Sequence, residues 1–139
     1  MSRLVDTNVL LYSISTANDE RRKREVAREI LSGTHNVLSV QVLQEFYVQS
    51  TRATRKDSIG HDLAVGLVRT WMRFHVQAVT VEVMGLALEL RAQHGWSYWD
   101  AAVVASGVVA GCDTLLTEDL HHGQVVMGLT IVNPFRIAP

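Results

Sequence analysis

Arg3-Leu4-Val5-Asp6-Thr7-Asn8-Val9-Leu10-Leu11, at the head of the chain, reads as a short strand stopped by an aspartate and followed by an apolar-rich helix over Thr7 to Ser15. The same alternation continues outward. A helix from about Glu20 to Leu31 carries Val26, Ala27, Ile30 and Leu31 on one face and meets Gly33 as its C′ residue. Asn36 to Leu38 is the next strand, and Ser39 caps a helix to about Arg52 with Leu43, Phe46, Tyr47 and Ser50 in register. Beyond the polar turn Thr54 to Ser58 come a helix to about Phe74 and a strand around Val76 to Val79. Helices follow at Glu82 to Gln93, closed by His94-Gly95, and at Ser97 to Ala110, then strands at Thr114 to Leu116 and Leu129 to Val132. Short strands alternating with helices predict one α/β domain over 1–139, a doubly wound and mostly parallel sheet flanked by helices.

The composition fits that reading and excludes others. A chain of 139 residues with 47% hydrophobic content supports one real core. No apolar run approaches the roughly 20 residues of a membrane span, and MSRLVDTN lacks a signal peptide's apolar stretch, so a soluble, cytoplasmic protein is expected. Cys112 is alone and reads as a small buried hydrophobe. The net charge is −1, but without Asp6, Glu45, Asp100 and Asp119 the remainder is +3. An acidic pocket in a mildly basic body suits a cation site acting on a polyanion.

In a doubly wound sheet, functional groups collect beyond the carboxyl ends of the strands where strand order reverses. Asp6 and Asp119 follow strands there, and Glu45 and Asp100 lie on helices able to lean over the same crevice. Each acid also has a plainer reading. Asp6 and Asp119 suit N-caps, Ser97-Tyr98-Trp99-Asp100 is a capping-box pattern, and Glu45, three residues from Val42 and Val48, suits a helix edge. Gathered together, the four would repel by roughly 3–4 kcal/mol per pair and would need protons or a cation. An all-oxygen donor set favours Mg²⁺ or Mn²⁺ over Zn²⁺.

Four stretches carry a resemblance: Val5-Asp6-Thr7-Asn8-Val9-Leu10-Leu11, Val42-Leu43-Gln44-Glu45-Phe46, WSYWDAA around Asp100, and LLTEDLHHGQVVMGLTIVNPF around Asp119. In order and spacing, from end to end, they resemble the PIN-domain family, and within it the VapC-like ribonuclease toxins of type II toxin–antitoxin pairs. The resemblance implies a Mg²⁺- or Mn²⁺-dependent endoribonuclease, a cognate antitoxin and a homodimer. It also implies metal-holding and catalytic roles for Asp6, Glu45, Asp100 and Asp119, with Asn8 and Thr117 as polar support and Glu118 as a competitor of Asp119 for the inward position. Glu45 would orient or deprotonate the attacking water or complete a second metal site, so one metal or two stays open.

Two basic clusters are candidate RNA contacts: Arg21, Arg22, Lys23 and Arg24 with Arg28, and Arg52, Arg55 and Lys56. The plainer reading of the first is a solvated helix face with a Glu20–Arg24 pair. Trp96, Tyr98 and Trp99 could stack on a base or pack in the core, while His121 and His122 read as turn residues. Leu10, Leu11, Val48 or the aromatic cluster would offer an antitoxin its apolar grip. A phosphoryl-transfer enzyme with an aspartate nucleophile fits poorly, because Lys23 and Lys56 are the only lysines and Asn8 stands where that pattern wants a second aspartate. The remaining alternative is a non-catalytic RNA- or protein-binding module of the same fold.

Overall fold

Leu4 and Val5 are wholly buried, so their strand is covered on both faces and lies at the centre of the sheet. The computed structural model describes residues 1–137; the last two residues of the expected 1–139 domain lie outside them. The strands are β1 (Arg3–Val5), β2 (Asn36–Ser39), β3 (His75–Gln77), β4 (Thr114–Leu116), β5 (Val125–Val126) and β6 (Leu129–Val132). The helices are α1 (Thr7–Ser13), α2 (Arg21–Leu31), α3 (Val40–Ser50), α4 (His61–Trp71), α5 (Val81–His94) and α6 (Tyr98–Val109). In space the strands run β3-β2-β1-β4-β6-β5. All neighbours are parallel except β5 and β6.

That order sets up the site. The chain winds outward from β1 through β2 to β3, then returns across the sheet to place β4 on the other flank of β1. The switch point therefore lies between β1 and β4, just beyond Val5 and Leu116, as the sequence led us to expect.

Local chemistry fixes the elements. Ser39 Oγ accepts from Val42 N at 3.1 Å and Thr80 Oγ1 from Val83 N at 3.1 Å, capping α3 and α5. Gly95 closes α5 with φ 71°, a left-handed conformation that glycine adopts without strain. Phe46 meets Trp71 edge-on at 4.7 Å, joining α3 to α4 over the core.

Several expected boundaries move. α1 stops at Ser13, whose hydroxyl bonds back to Leu10 O at 2.6 Å, and a 3₁₀ turn over Asn18–Glu20 precedes α2. Gly33 is not left-handed. Its role is space, since a Cβ there would stand 2.9 Å from Arg3 Nη2, which donates to Ile30 O. The turn before α4 extends to Gly60, and β3 sits one residue before its expected start. β5 went unpredicted. It pairs with β6 through the tight turn at Met127 (φ 51°) and Gly128 (φ 83°), and methionine is an unusual residue for positive φ. Leu10 and Leu11 belong to the core and offer no partner a grip, whereas Val48 is exposed. Cys112 is buried as expected. Among the described residues, no helix is long and apolar enough to cross a membrane.

Candidate active site at the switch of the sheet

Asp6 leaves β1 at the switch point and caps α1, its Oδ1 accepting from Thr7 N at 2.7 Å. The cap uses one oxygen. Oδ2 accepts from Thr117 Oγ1 at 2.8 Å, just beyond β4, so the two central strands are tied through the carboxylate itself. The Thr117 hydroxyl is fully used: it also accepts from Asn8 Nδ2 at 3.2 Å and Asp119 N at 3.1 Å. Asn8 Nδ2 in turn reaches Asp119 Oδ2 at 3.1 Å. Asp119 is thus aimed by the first turn of α1, and among the described residues its carboxylate caps no turn.

Glu45 comes from the middle of α3. Its Oε2 accepts from Thr7 Oγ1 at 3.1 Å and its Oε1 from Gln41 Nε2 at 2.9 Å, one helical turn earlier. These contacts supply the partner that a carboxylate beside apolar surface requires. Asp100 stands in the first turn of α6, where Ser97 Oγ accepts from Asp100 N at 3.1 Å. No bond from Ser97 N to the Asp100 carboxylate forms among the described residues, so the capping box is half made and that carboxylate is left for the cleft.

All four acids line one cleft of about 220 Å³, together with Asn8 and Trp99. Burial pushes the Asp6 carboxyl up to about 7, against the hydrogen bonds from Thr117 and Thr7 and with added repulsion from Asp119 and Glu45. Partial burial likewise raises Asp100, opposed by Ser97 and reinforced by Asp119 and Glu45.

The donor set fits a hard cation. Four carboxylates and the amide of Asn8 are all-oxygen, and Asn8 Oδ1 is a buried acceptor without a hydrogen-bond partner. The acids ring the space without closing on a single point: among the described residues, no three Asp, Glu, His or Cys side chains are gathered tightly enough to hold a metal as they stand. A cation that keeps part of its water shell suits such a spacing.

Glu118, expected as a competitor of Asp119, turns away. It pairs with Lys23 Nζ at 3.0 Å and accepts from the Tyr12 hydroxyl. Most of the first basic cluster also bonds within the fold, although Arg21, Arg22 and Arg28 keep exposed surface. Arg22 donates to Phe135 O at 2.9 Å, Arg24 to Ser15 O at 2.9 Å and Arg28 to Ser13 O at 2.9 Å. The expected Glu20–Arg24 pair does not form. Arg21 pairs with Glu25 instead, and Glu20 accepts from Ser15 Oγ. In the second cluster Arg55 pairs with Asp57 at 2.8 Å and Lys56 is exposed, while Arg52 lines a groove adjoining the cleft. His122 Nδ1 accepts from Asn133 N, and neither His121 nor His122 lines the cleft. Sequence reasoning missed Thr7 and Gln41; the signal available for Gln41 was its spacing of four from Glu45 on one helix.

The Lys23–Glu118 pair gives a direct prediction. Lys23→Met and Glu118→Gln should each change stability by no more than about 1 kcal/mol, as partly exposed pairs do, and leave any cleavage rate within twofold. Thermal melts and rate assays on both variants check this, and a large rate loss would return Glu118 to the site.

The family model for the PIN domain matches residues 3–126, and the chain belongs to that family. No curated protein matches the sequence. Among solved structures, it is similar to a toxin–antitoxin complex from Klebsiella pneumoniae, with TM-score 0.73 and 18% identity over 98% of this chain and 100% of that one. VapC20 of Mycobacterium tuberculosis, described as a sarcin–ricin loop cleaving toxin, gives TM-score 0.66 and 21% identity over 85% and 92%. DNA-bound VapBC from Salmonella typhimurium gives 0.65 and 17% over 94% and 96%. At these identities the likeness is one of fold.

Proposed function

We propose that this chain is the toxin of a toxin–antitoxin pair and acts in the cytoplasm as a Mg²⁺- or Mn²⁺-dependent endoribonuclease. The observation that carries the reading is the convergence of Asp6, Glu45, Asp100 and Asp119 on one cleft at the switch point, with Asp6 and Asp119 held by Thr117 and Asn8. PIN-domain membership and the toxins among the structural relatives support it.

In this reading Asp6, Asp100 and Asp119 hold the cation, which when bound polarises the scissile phosphate and acidifies a water. Glu45, fixed by Thr7 and Gln41, orients that water and accepts its proton. The water oxygen forms the new bond to phosphorus as the bond to the 3′-oxygen breaks, and that oxygen takes up a proton from solvent. The products are a 5′-phosphate and a 3′-hydroxyl.

Incubating the purified chain with total cellular RNA in Mg²⁺, Mn²⁺ or EDTA tests the proposal. Discrete products with 5′-phosphate ends, formed with either metal and suppressed by EDTA, are expected. Inert, folded, metal-loaded protein freed of any partner would sink the enzyme reading and favour the binding module.

Two apolar surfaces match the partners proposed. A concave groove of about 690 Å³ between α3, α4 and β3, lined by Leu43, Tyr47, Val48, Val65 and Met72, suits an amphipathic helix of the antitoxin. The convex stripe Val81, Met84 and Leu88 on α5, with Val81 80% exposed and Leu88 55%, suits a second copy packing about a twofold axis. Leu88→Arg should convert the dimer to monomer in sedimentation or light scattering. An unchanged mass would remove α5 from the interface.

A further inference from the structure

Of the three tryptophans, Trp71 is core and Trp96 stacks on His94 at 4.3 Å, but Trp99 is 63% exposed. Folding does not account for it. Trp99 lines both the carboxylate cleft and a neighbouring groove of about 340 Å³. It is held in place from behind: Tyr98 meets it edge-on at 5.0 Å, and Gln41 Nε2 donates to Trp99 O at 3.2 Å while binding Glu45. The wall of the groove is thus fixed to the same glutamine that positions Glu45.

The rest of the groove is built along α3. Gln41, Glu45 and Val48 recur at helical spacing and share one face of α3, Gln44 and Gln49 flank it, and Arg52 follows two residues past the helix's last residue. Arg52 lies just past the C-terminal end of α3, at the end of the groove away from Gln41. Unlike the arginines of α2, it is not committed to any carbonyl or carboxylate by its side chain among the described residues. The groove therefore offers an aromatic face, neutral amides and a cation, and shares Glu45, Gln49 and Trp99 with the cleft.

We propose that this groove is the subsite for the nucleotide flanking the scissile phosphate in an unpaired stretch of RNA. Its base stacks on Trp99, the amides of Gln44 and Gln49 meet its edge, and Arg52 holds the next phosphate. A base within a duplex has both faces covered and cannot stack there, so the groove selects single-stranded segments. The inference rests on the nuclease reading and deepens it.

The probes are a fluorescein-labelled pool of random-sequence decaribonucleotides, the same pool annealed to its complement, and total cellular RNA. The full chain and its Trp99→Leu, Trp99→Phe and Arg52→Met variants are compared by anisotropy and by cleavage kinetics, with melting temperatures to show folding. We expect preference for the single-stranded pool, and Trp99→Leu to weaken binding and raise KM about 5- to 100-fold, the range for loss of one stacked base, with a smaller change in kcat. Trp99→Phe should restore most of the loss. Arg52→Met should lower the salt slope by about one.

If the parent cleaves total RNA but Trp99→Leu leaves KM and pool binding unchanged, or the parent prefers duplex, the subsite is wrong and the nuclease reading stands. An effect of Trp99→Leu confined to binding of a protein partner gives the groove to that partner and also overturns the proposal. If the parent neither binds the pool nor cleaves total RNA in metal, both readings fall together.

Discussion

Asp6→Asn is expected to lower metal-dependent RNA cleavage at least a hundredfold in a protein that remains folded, and Asp100→Asn to do nearly the same. The reason is geometric as well as electrostatic. An amide keeps a carbonyl oxygen to accept from Thr7 N, so the cap of α1 survives. Its NH₂, however, would face a Thr117 hydroxyl that now donates to Asp6 Oδ2 while accepting from Asn8 and Asp119. That hydroxyl has two lone pairs and cannot accept a third donor, so Asn8 or Asp119 must let go. One substitution therefore removes a negative ligand and loosens the group that aims another. Such losses typically cost factors of 10²–10⁴ in catalysis. Single-turnover rates and calorimetric Mn²⁺ titration of both variants check this; full cleavage with unchanged Mn²⁺ affinity would refute the assignment.

The second large effect is on stability without metal. Burial holds the Asp6 carboxyl near 7 in the folded protein, well above its unfolded value of 3.8. The folded state then keeps a proton that the unfolded chain has released, so the associated stability is present below about pH 4 and is lost as pH rises through about 7. At about 1.4 kcal/mol per pH unit, the loss is on the order of 4 kcal/mol across that window. Asp100 is shifted in the same direction and adds to it. In EDTA, melting should fall steeply between pH 5 and pH 7.5, and the fall should be largely absent in Asp6→Asn. Mg²⁺ at a hundred times its dissociation constant should restore about 2.7 kcal/mol at the upper pH. Equal slopes for parent and variant would show that Asp6 is not the titrating group.

Much of this site was legible in the order of residues. β1, β4 and β6 were placed to the residue because each is an apolar run bounded by polar or turn residues, and the caps Ser39 and Ser97 announced their helices. Boundaries in the polar stretch from Arg52 to Gly60 were not, since turn-rich sequence carries no period. β5 was hidden for the opposite reason: its turn uses a methionine at positive φ, against every local preference. The competition between Glu118 and Asp119 was likewise undecidable from neighbours in sequence. It is settled by Lys23 and Tyr12, 95 and 106 residues away, which draw Glu118 to the other side. The basic run of α2 read as a solvated helix face or an RNA contact because charge is visible in sequence, whereas the carbonyls of Ser13, Ser15 and Phe135 that Arg28, Arg24 and Arg22 reach are not.

By itself the sequence determined the alternation of strands and helices, hence the parallel sheet, its switch point and the four acids able to reach it, because periodicity and strand ends are local properties. Only the tertiary structure decided which oxygens those acids keep free, which arginine remains beside the cleft and which tryptophan stays exposed. Those are matters of hydrogen-bond satisfaction and burial, fixed by partners as far apart as Asp6 and Thr117, and no local pattern encodes them.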